Sequence, residues 1–263
     1  MGERLDILEA DMIPLLERLS LRTLDDFVSG VVGTVVAERG SAQTRKITLD
    51  GAAGECYLKV YRDPRPGWRS IVMRDRCRTE ARNYSVLRER CGEVVPRVIA
   101  TGRRRRSGRL CECFILTHGV PNSVPLDQWL DRLASEGGVA AASKRKLALA
   151  NLADLIARMH AAGFFHVDLQ LRNVLVSDSG DAAPRFYLID SSRGGPRGWR
   201  IGREYGRFRD LSSLHKGASG RVSEREELRW LLRYRGARRL SVADRALVTA
   251  ILADRRKKDH KPA

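Results

Sequence analysis

The stretch that most constrains this chain is HVDLQLRNVLV, His166 to Val176. Before it, Leu152, Leu155, Ile156 and Met159 recur at helical spacing, and Gly163 is suited to close that helix. After it, the apolar Val174–Val176 reads as a short strand. A helix, a polar loop of fixed length and a strand must therefore meet here. Asp168 can accept a proton, and the amide oxygen of Asn173, five residues on, can hold a hard cation. Those are two demands of phosphoryl transfer: an acceptor for the proton of the attacking hydroxyl, and a metal on the phosphates.

The stretch fits the H-R-D-L-x-x-x-N frame of protein-kinase-like catalytic loops everywhere except Val167. Other parts of that machinery follow in order. FYLIDSS ends a short apolar run at Asp190, where such enzymes place a metal-binding aspartate, although the usual Phe-Gly is missing. CYLKVY puts Lys59 in a β-rich run, where it would hold the α- and β-phosphates of ATP. Glu80, on the one long helix of the first half, is placed to pair with Lys59. The glycine-rich phosphate loop is reduced to Gly40 in ERGSAQTRK. The backbone of Ser41–Thr44 would cover the phosphates there, with Arg45 or Lys46 adding charge. Each residue alone has an ordinary explanation as a strand lysine, a helix glutamate or a loop acid. Their joint order on fitting elements does not.

The rest of the chain supports a bilobal α+β, kinase-like organisation. Residues 3–27 show helical spacing (Leu5, Leu8, Met12, Leu15, Leu16, Leu19) with a break expected at Pro14, giving an N-terminal helical extension over 1–30. A nucleotide-binding lobe over 31–118 is expected to hold five strands: Val31–Ala37, Lys46–Leu49, Cys56–Tyr61, and those in PRVIATG and LCECFILT. A helix over 69–90 interrupts them, DGAAG reads as a turn, and RRRRSGR reads as a basic turn. A hinge near Thr117–Pro125 leads to a mainly helical lobe over 119–254, with Ser143 expected to cap its main helix. Within it, the arginine- and glycine-rich run to Arg209 reads as irregular. A basic tail covers 255–263.

The combination of YLKVYR, TEARNYSVLRE, VPRVIATG, HVDLQLRNVLV, FYLIDSSR and the late RFRDLSSL…LRWLLRYRG resembles the bacterial lipopolysaccharide core kinases, the Kdo and heptose kinases. The likeness runs from about Arg39 to Gly236. It implies ATP- and Mg²⁺-dependent phosphorylation of an inner-core sugar hydroxyl at the cytoplasmic face of the inner membrane. On that reading Asp168 is the base, Asn173 and Asp190 hold Mg²⁺, and Lys59, Glu80, Gly40, Ser41 and Arg45 serve the nucleotide. Two departures stand out. Val167 replaces an arginine that reads activation-loop phosphorylation, and Gln170 replaces a basic residue, a loss Arg172 would make good.

Charge narrows the partners. The formal net charge is +17, and the pI is about 10.4. Residues 1–30 carry seven acids against three arginines, so the excess lies in the remainder. A polyanionic partner follows. Arg197, Arg200 and Arg203, directly after Asp190, suit the carboxylates and phosphates of an anionic glycolipid or sugar. Arg65, Arg69, Arg74, Arg76, Arg78 and Arg82 enrich the first long helix and its approach. Arg103–Arg106 and the tail read as peripheral contacts with an anionic inner-membrane surface or as plain solvated turns. Nucleic acid is not expected, because aromatics are only 6% of the chain and no stacking platform is legible. The acidic start speaks against a secretory signal, and no apolar run is long enough to span a membrane. Five cysteines fit reduced thiols in a cytoplasm, with Cys111 and Cys113 on one strand face and too few partners for a metal site. An aminoglycoside- or choline-type kinase, a protein kinase and a non-catalytic binding module are the alternatives. Oligomeric state is not legible.

Overall fold

A computed structural model describes residues 2–49, 54–62, 75–178 and 183–259, with side chains as far as Asp254. Arg65, Arg69 and Arg74, most of the DGAAG turn and the tail side chains lie outside the described residues. The chain divides into two compact units, Met1–Val86 with Pro96–Gly119, and Leu87–Val95 with Val120–Ala263.

The first unit is built on a six-stranded antiparallel sheet. Its strands are β1 (Gly2–Ile7), β2 (Thr34–Arg39), β3 (Ala42–Leu49), β4 (Gly54–Arg62), β5 (Val98–Arg106) and β6 (Arg109–His118), in the order β1-β5-β6-β4-β3-β2. Side chains alternate across a strand, so β4 has two unlike faces. Cys56, Leu58 and Val60 join a core with Leu16, Leu24, Phe27, Ile99, Phe114 and Leu116, where Phe27 stacks on Phe114 at 4.6 Å. Tyr57, Lys59 and Tyr61 point the other way, toward the side of α2 (Arg76–Cys91), where Lys59 meets Glu80. Helix α2 buries Cys77, Glu80, Tyr84 and Leu87 at helical spacing, while Arg76, Arg78 and Arg82 are exposed.

Residues 3–27 are not the expected helix. Leu5 and Ile7 also alternate, and pairing with the outer edge of β5 makes Gly2–Ile7 a strand. The helical part is a 3₁₀ turn, Ala10–Met12, running into α1 (Ile13–Arg18), in which Pro14 lies in the first turn, where no backbone N–H is required. A five-residue π-helical turn, Asp26–Gly30, then buries Phe27 and Val28. The expected basic turn is also corrected, since Arg103–Arg106 belong to β5 and only Ser107–Gly108 turn. Arg104 is buried within a ring of acids: Glu3 at 2.8 Å, Asp25 at 2.6 Å and Glu112 at 3.0 Å. The acidic N-terminal segment thus neutralises the basic strand it pairs with.

The second unit is mainly helical. Helix α3 (Leu126–Glu136) buries Leu126, Trp129, Leu130 and Leu133, and α4 (Gly138–Ala161) buries Leu152, Leu155, Ile156 and Met159. Helix α4 begins at Gly138, so Ser143 is interior rather than a cap; Gly163, at φ +76°, follows its C-cap as expected. Strands β7 (Ser123–Pro125), β9 (Val174–Ser177) and β10 (Arg185–Leu188) form a small sheet, and β8 (Phe164–Phe165) pairs with β11 (Gly195–Pro196). Helices α5 (Arg200–Ala218), α6 (Glu224–Arg235) and α7 (Val242–Asp259) complete it. A Ser223–Glu226 capping box starts α6. The run expected to be irregular as far as Arg209 is helical from Arg200. Its glycines are packing positions: a Cβ on Gly202 would collide with the Trp199 indole, and one on Gly206 with the Phe165 ring.

Candidate active site

In the first unit, the Lys59 ammonium lies 3.2 Å from Glu80 Oε2, and the Tyr84 hydroxyl donates to Glu80 Oε1 at 2.9 Å. Glu80 is 3% exposed. A buried carboxylate is costly unless its oxygens are matched, and here both are. The β2–β3 hairpin turns at Gly40 (φ +55°) and Ser41, whose carbonyl accepts from Arg62 N at 2.8 Å. Thr44 stands opposite Lys59 and shares its face. Arg45 is opposite Leu58, on the other face, and donates to the Val31 carbonyl at 3.0 Å and to Gln43 Oε1 at 2.8 Å. The Arg45 guanidinium therefore points away from the Lys59 side, and Lys46, opposite Tyr57, lies on it.

In the second unit, the loop after α4 is fixed from below. Asp210 of α5, fully buried, accepts from the backbone N–H of His166 at 2.9 Å and of Val167 at 2.6 Å. Val167 has φ +67°, a strained conformation for a β-branched residue, and this double anchor holds it there. His160 pairs with Asp210 at 3.0 Å and with the Tyr234 hydroxyl at 2.7 Å. Burial pushes the Tyr234 phenol up, with Arg207 working against it. The buried His166 ring bonds the Ile189 carbonyl at 2.9 Å, and Ile189 N donates to the Asn173 carbonyl at 3.0 Å. The loop and the segment leading to Asp190 are therefore stitched together.

On this base, Asp168 is partly exposed, and its Oδ1 accepts from the Gln170 amide at 2.6 Å. Asn173 donates its amide N–H to the Asp168 carbonyl at 2.9 Å, so its amide oxygen is the atom that could face a hard cation. Asp190 has φ +58°, and its Oδ1 accepts from Ser192 Oγ at 3.4 Å. An amide oxygen and a carboxylate are the donor set of a hard cation such as Mg²⁺. Arg172 is exposed on the 3₁₀ turn Leu171–Asn173.

The three arginines expected to meet an acceptor are not equivalent. Arg203 donates to the His160 and Ala161 carbonyls at 3.3 and 3.4 Å, capping the end of α4. Arg200 is exposed and paired with Glu204 at 2.8 Å, and Arg197 stacks 5.5 Å from the Tyr205 ring centre. Asp75, Cys77 and Cys113 bring their ligand atoms within 4.8 Å of one another, but Asp75 caps α2 through Arg78 N at 3.0 Å, and burial pushes the Cys77 thiol well up. Asp210, His160 and Tyr234 escaped the sequence reading. A signal existed in Gly202, Gly206 and Asp210, which recur every four residues along one helical face.

A strand lysine paired to a helix glutamate and a braced Asp-x₄-Asn loop, each on its proper element, define a protein-kinase-like fold. The chain belongs to the lipopolysaccharide kinase (Kdo/WaaP) family, whose sequence model matches residues 32–234, and it is accordingly a kinase. Among solved structures it is similar to WaaP in complex with acyl carrier protein, with a TM-score of 0.72 and 22% identity. The match covers 97% of this chain and 98% of that one. A comparison with curated protein sequences found no match.

Proposed function

We propose that this kinase transfers the γ-phosphate of ATP, with Mg²⁺, to a Kdo or heptose hydroxyl of the lipopolysaccharide inner core, peripherally at the cytoplasmic face of the inner membrane. Asp168 takes the hydroxyl proton, and the Gln170 amide orients its carboxylate. Asn173 and Asp190 hold the cation, which when bound offsets phosphate charge. Lys59, steadied by Glu80, orients the α- and β-phosphates, and the Gly40–Ser41 turn covers them. Arg197 and Arg200 meet the anionic acceptor, Arg203 positions their segment by capping α4, and Arg172 remains at the solvent edge of the loop. The observation that carries this reading is the Asp168–Asn173 loop, locked from beneath by Asp210.

Phosphate transfer from radiolabelled ATP to dephosphorylated core glycolipid tests it. Asp168→Asn should lower kcat by about 10²–10⁴, the usual contribution of a positioned base. Asp190→Asn should abolish turnover while nucleotide binding persists. Near-normal kcat in Asp168→Asn would remove it from the role of base.

Acyl carrier protein, the partner in the WaaP structure, is proposed as a partner here on a separate observation. A cavity of about 640 Å³ in the second unit is lined by apolar side chains including Leu130, Leu152, Leu214, Trp230 and Leu252. That volume falls within the usual range for small-molecule pockets, and the apolar lining would suit an acyl chain. Acylated carrier should raise the melting temperature and unacylated carrier should not; equal effects would leave the cavity without that role.

A further inference from the structure

Three of the arginines expected at the membrane are engaged within the fold. Arg104 sits among three acids, Arg103 lies 3.8 Å from Asp75, and Arg105 donates to the Gly108 carbonyl at 2.6 Å. A different surface carries the features a bilayer selects. Trp199, Ile201 and Tyr205 are 70%, 73% and 51% exposed, within seven residues at the start of α5. Single exposed apolar residues need no explanation, but three large ones at one helix tip do.

The tip is preformed. The Trp199 indole lies across Gly202, where a side chain would collide with it. Ile201 and Tyr205 are four apart and share the outer face, and the Arg197 guanidinium stacks over Tyr205. Arg200 projects outward with its side chain 90% exposed, and Glu204, the one acid of the tip, is paired with it. Gly202, Gly206 and Asp210 are buried on the other face, whose start the Trp199 indole covers while staying largely exposed, so the helix cannot turn to hide Ile201 and Tyr205. Tryptophan and tyrosine favour the headgroup level, where an apolar body and a polar tip are both accommodated. Arginines around them draw anionic lipid.

We propose that Trp199–Tyr205 seats this protein in the interface of an anionic bilayer, with Trp199 and Ile201 entering the headgroup–acyl boundary and Arg197 and Arg200 contacting phosphates. Charge complementarity selects the bilayer: the chain is strongly cationic, and the tip has no uncompensated acid to attract a basic partner. The location rests on the inner-membrane reading above, but the surface argument does not depend on catalysis.

Cosedimentation with phosphatidylethanolamine/phosphatidylglycerol vesicles tests this, with pure phosphatidylcholine vesicles for comparison. The Ile201→Asp, Tyr205→Ser double variant should partition at least about tenfold less onto the anionic vesicles. Arg105→Gln with Arg106→Gln should bind as the native protein does. Brominated lipid should quench native tryptophan fluorescence, and Trp199→Phe should lose that quenching, a readout that needs no disruptive variant. Unchanged partitioning of the double variant, or quenching that survives Trp199→Phe, would overturn the proposal. Turnover of delipidated acceptor, measured on the same preparations, separates the two readings: its absence in native protein counts against the kinase substrate and leaves the vesicle result standing.

Discussion

At the residue scale, two buried carboxylates do opposite jobs. Glu80 faces a cation and a phenol, so its charge is matched by side chains; Asp210 is matched by two backbone amides and an imidazole. The first kind of match is legible in sequence, because a lysine on a strand and an acid on the next helix each advertise their chemistry. The second is not, because backbone amides have no sequence signature and only the fold brings residues 166 and 167 to residue 210. If Glu80 acts through Lys59, their alanine substitutions should be non-additive in kcat/KM, with the double variant close to the worse single one. Additive losses in a double-mutant cycle would make Glu80 independent of Lys59.

At the element scale, α5 was misread because glycine and arginine are poor evidence for a helix interior. The close contact of its backbone with Phe165 decided the matter, and that contact is tertiary. Gly206→Ala should therefore destabilise by about 1–3 kcal/mol despite better helix propensity, because the added methyl meets the Phe165 ring. A Tm equal to or above that of the native protein would reject this packing. β1 failed for a related reason: its residues fit both periodicities, and the open edge of β5 chose between them. A clearer prospect is the tie of α6 to α4. Arg233 grips Asp154 with two hydrogen bonds of 2.7 Å and thereby holds that carboxyl below the usual aspartate range. A depressed folded-state value means the stabilisation is complete above the unfolded value of about 3.9 and is lost as pH falls through the folded value. Because the pair is largely open to solvent, its contribution is small and screened by salt. Denaturant titrations between about pH 5 and pH 2 should show that component vanish on acidification, and Arg233→Ala should lack it throughout.

At the scale of the whole molecule, net charge predicted a cationic surface but not its distribution. Arg104 is neutralised inside the first unit, and Arg203 serves a helix end, so fewer arginines remain for an acceptor than the sequence offers. Neutralising Arg197 and Arg200 together should raise KM for the glycolipid and leave KM for ATP in place. Added salt should mimic the change, since exposed charges are screened over roughly 8–10 Å at physiological ionic strength. An acceptor KM unmoved at low salt would remove these two arginines from acceptor binding.

The pairing of β1 with β5 also fixes an order of events during synthesis. Its register joins Gly2 to Arg105, so during synthesis β1 must wait on the order of a hundred residues for its neighbour. Until β5 emerges, the central hairpins can form, but Glu3 has no Arg104 to meet and the outer edge of the sheet does not exist. Closure of the six-stranded sheet is thus a late, long-range step, and a fusion tag that delays Gly2–Ile7 should slow the last folding phase while leaving β2–β4 pairing unaffected.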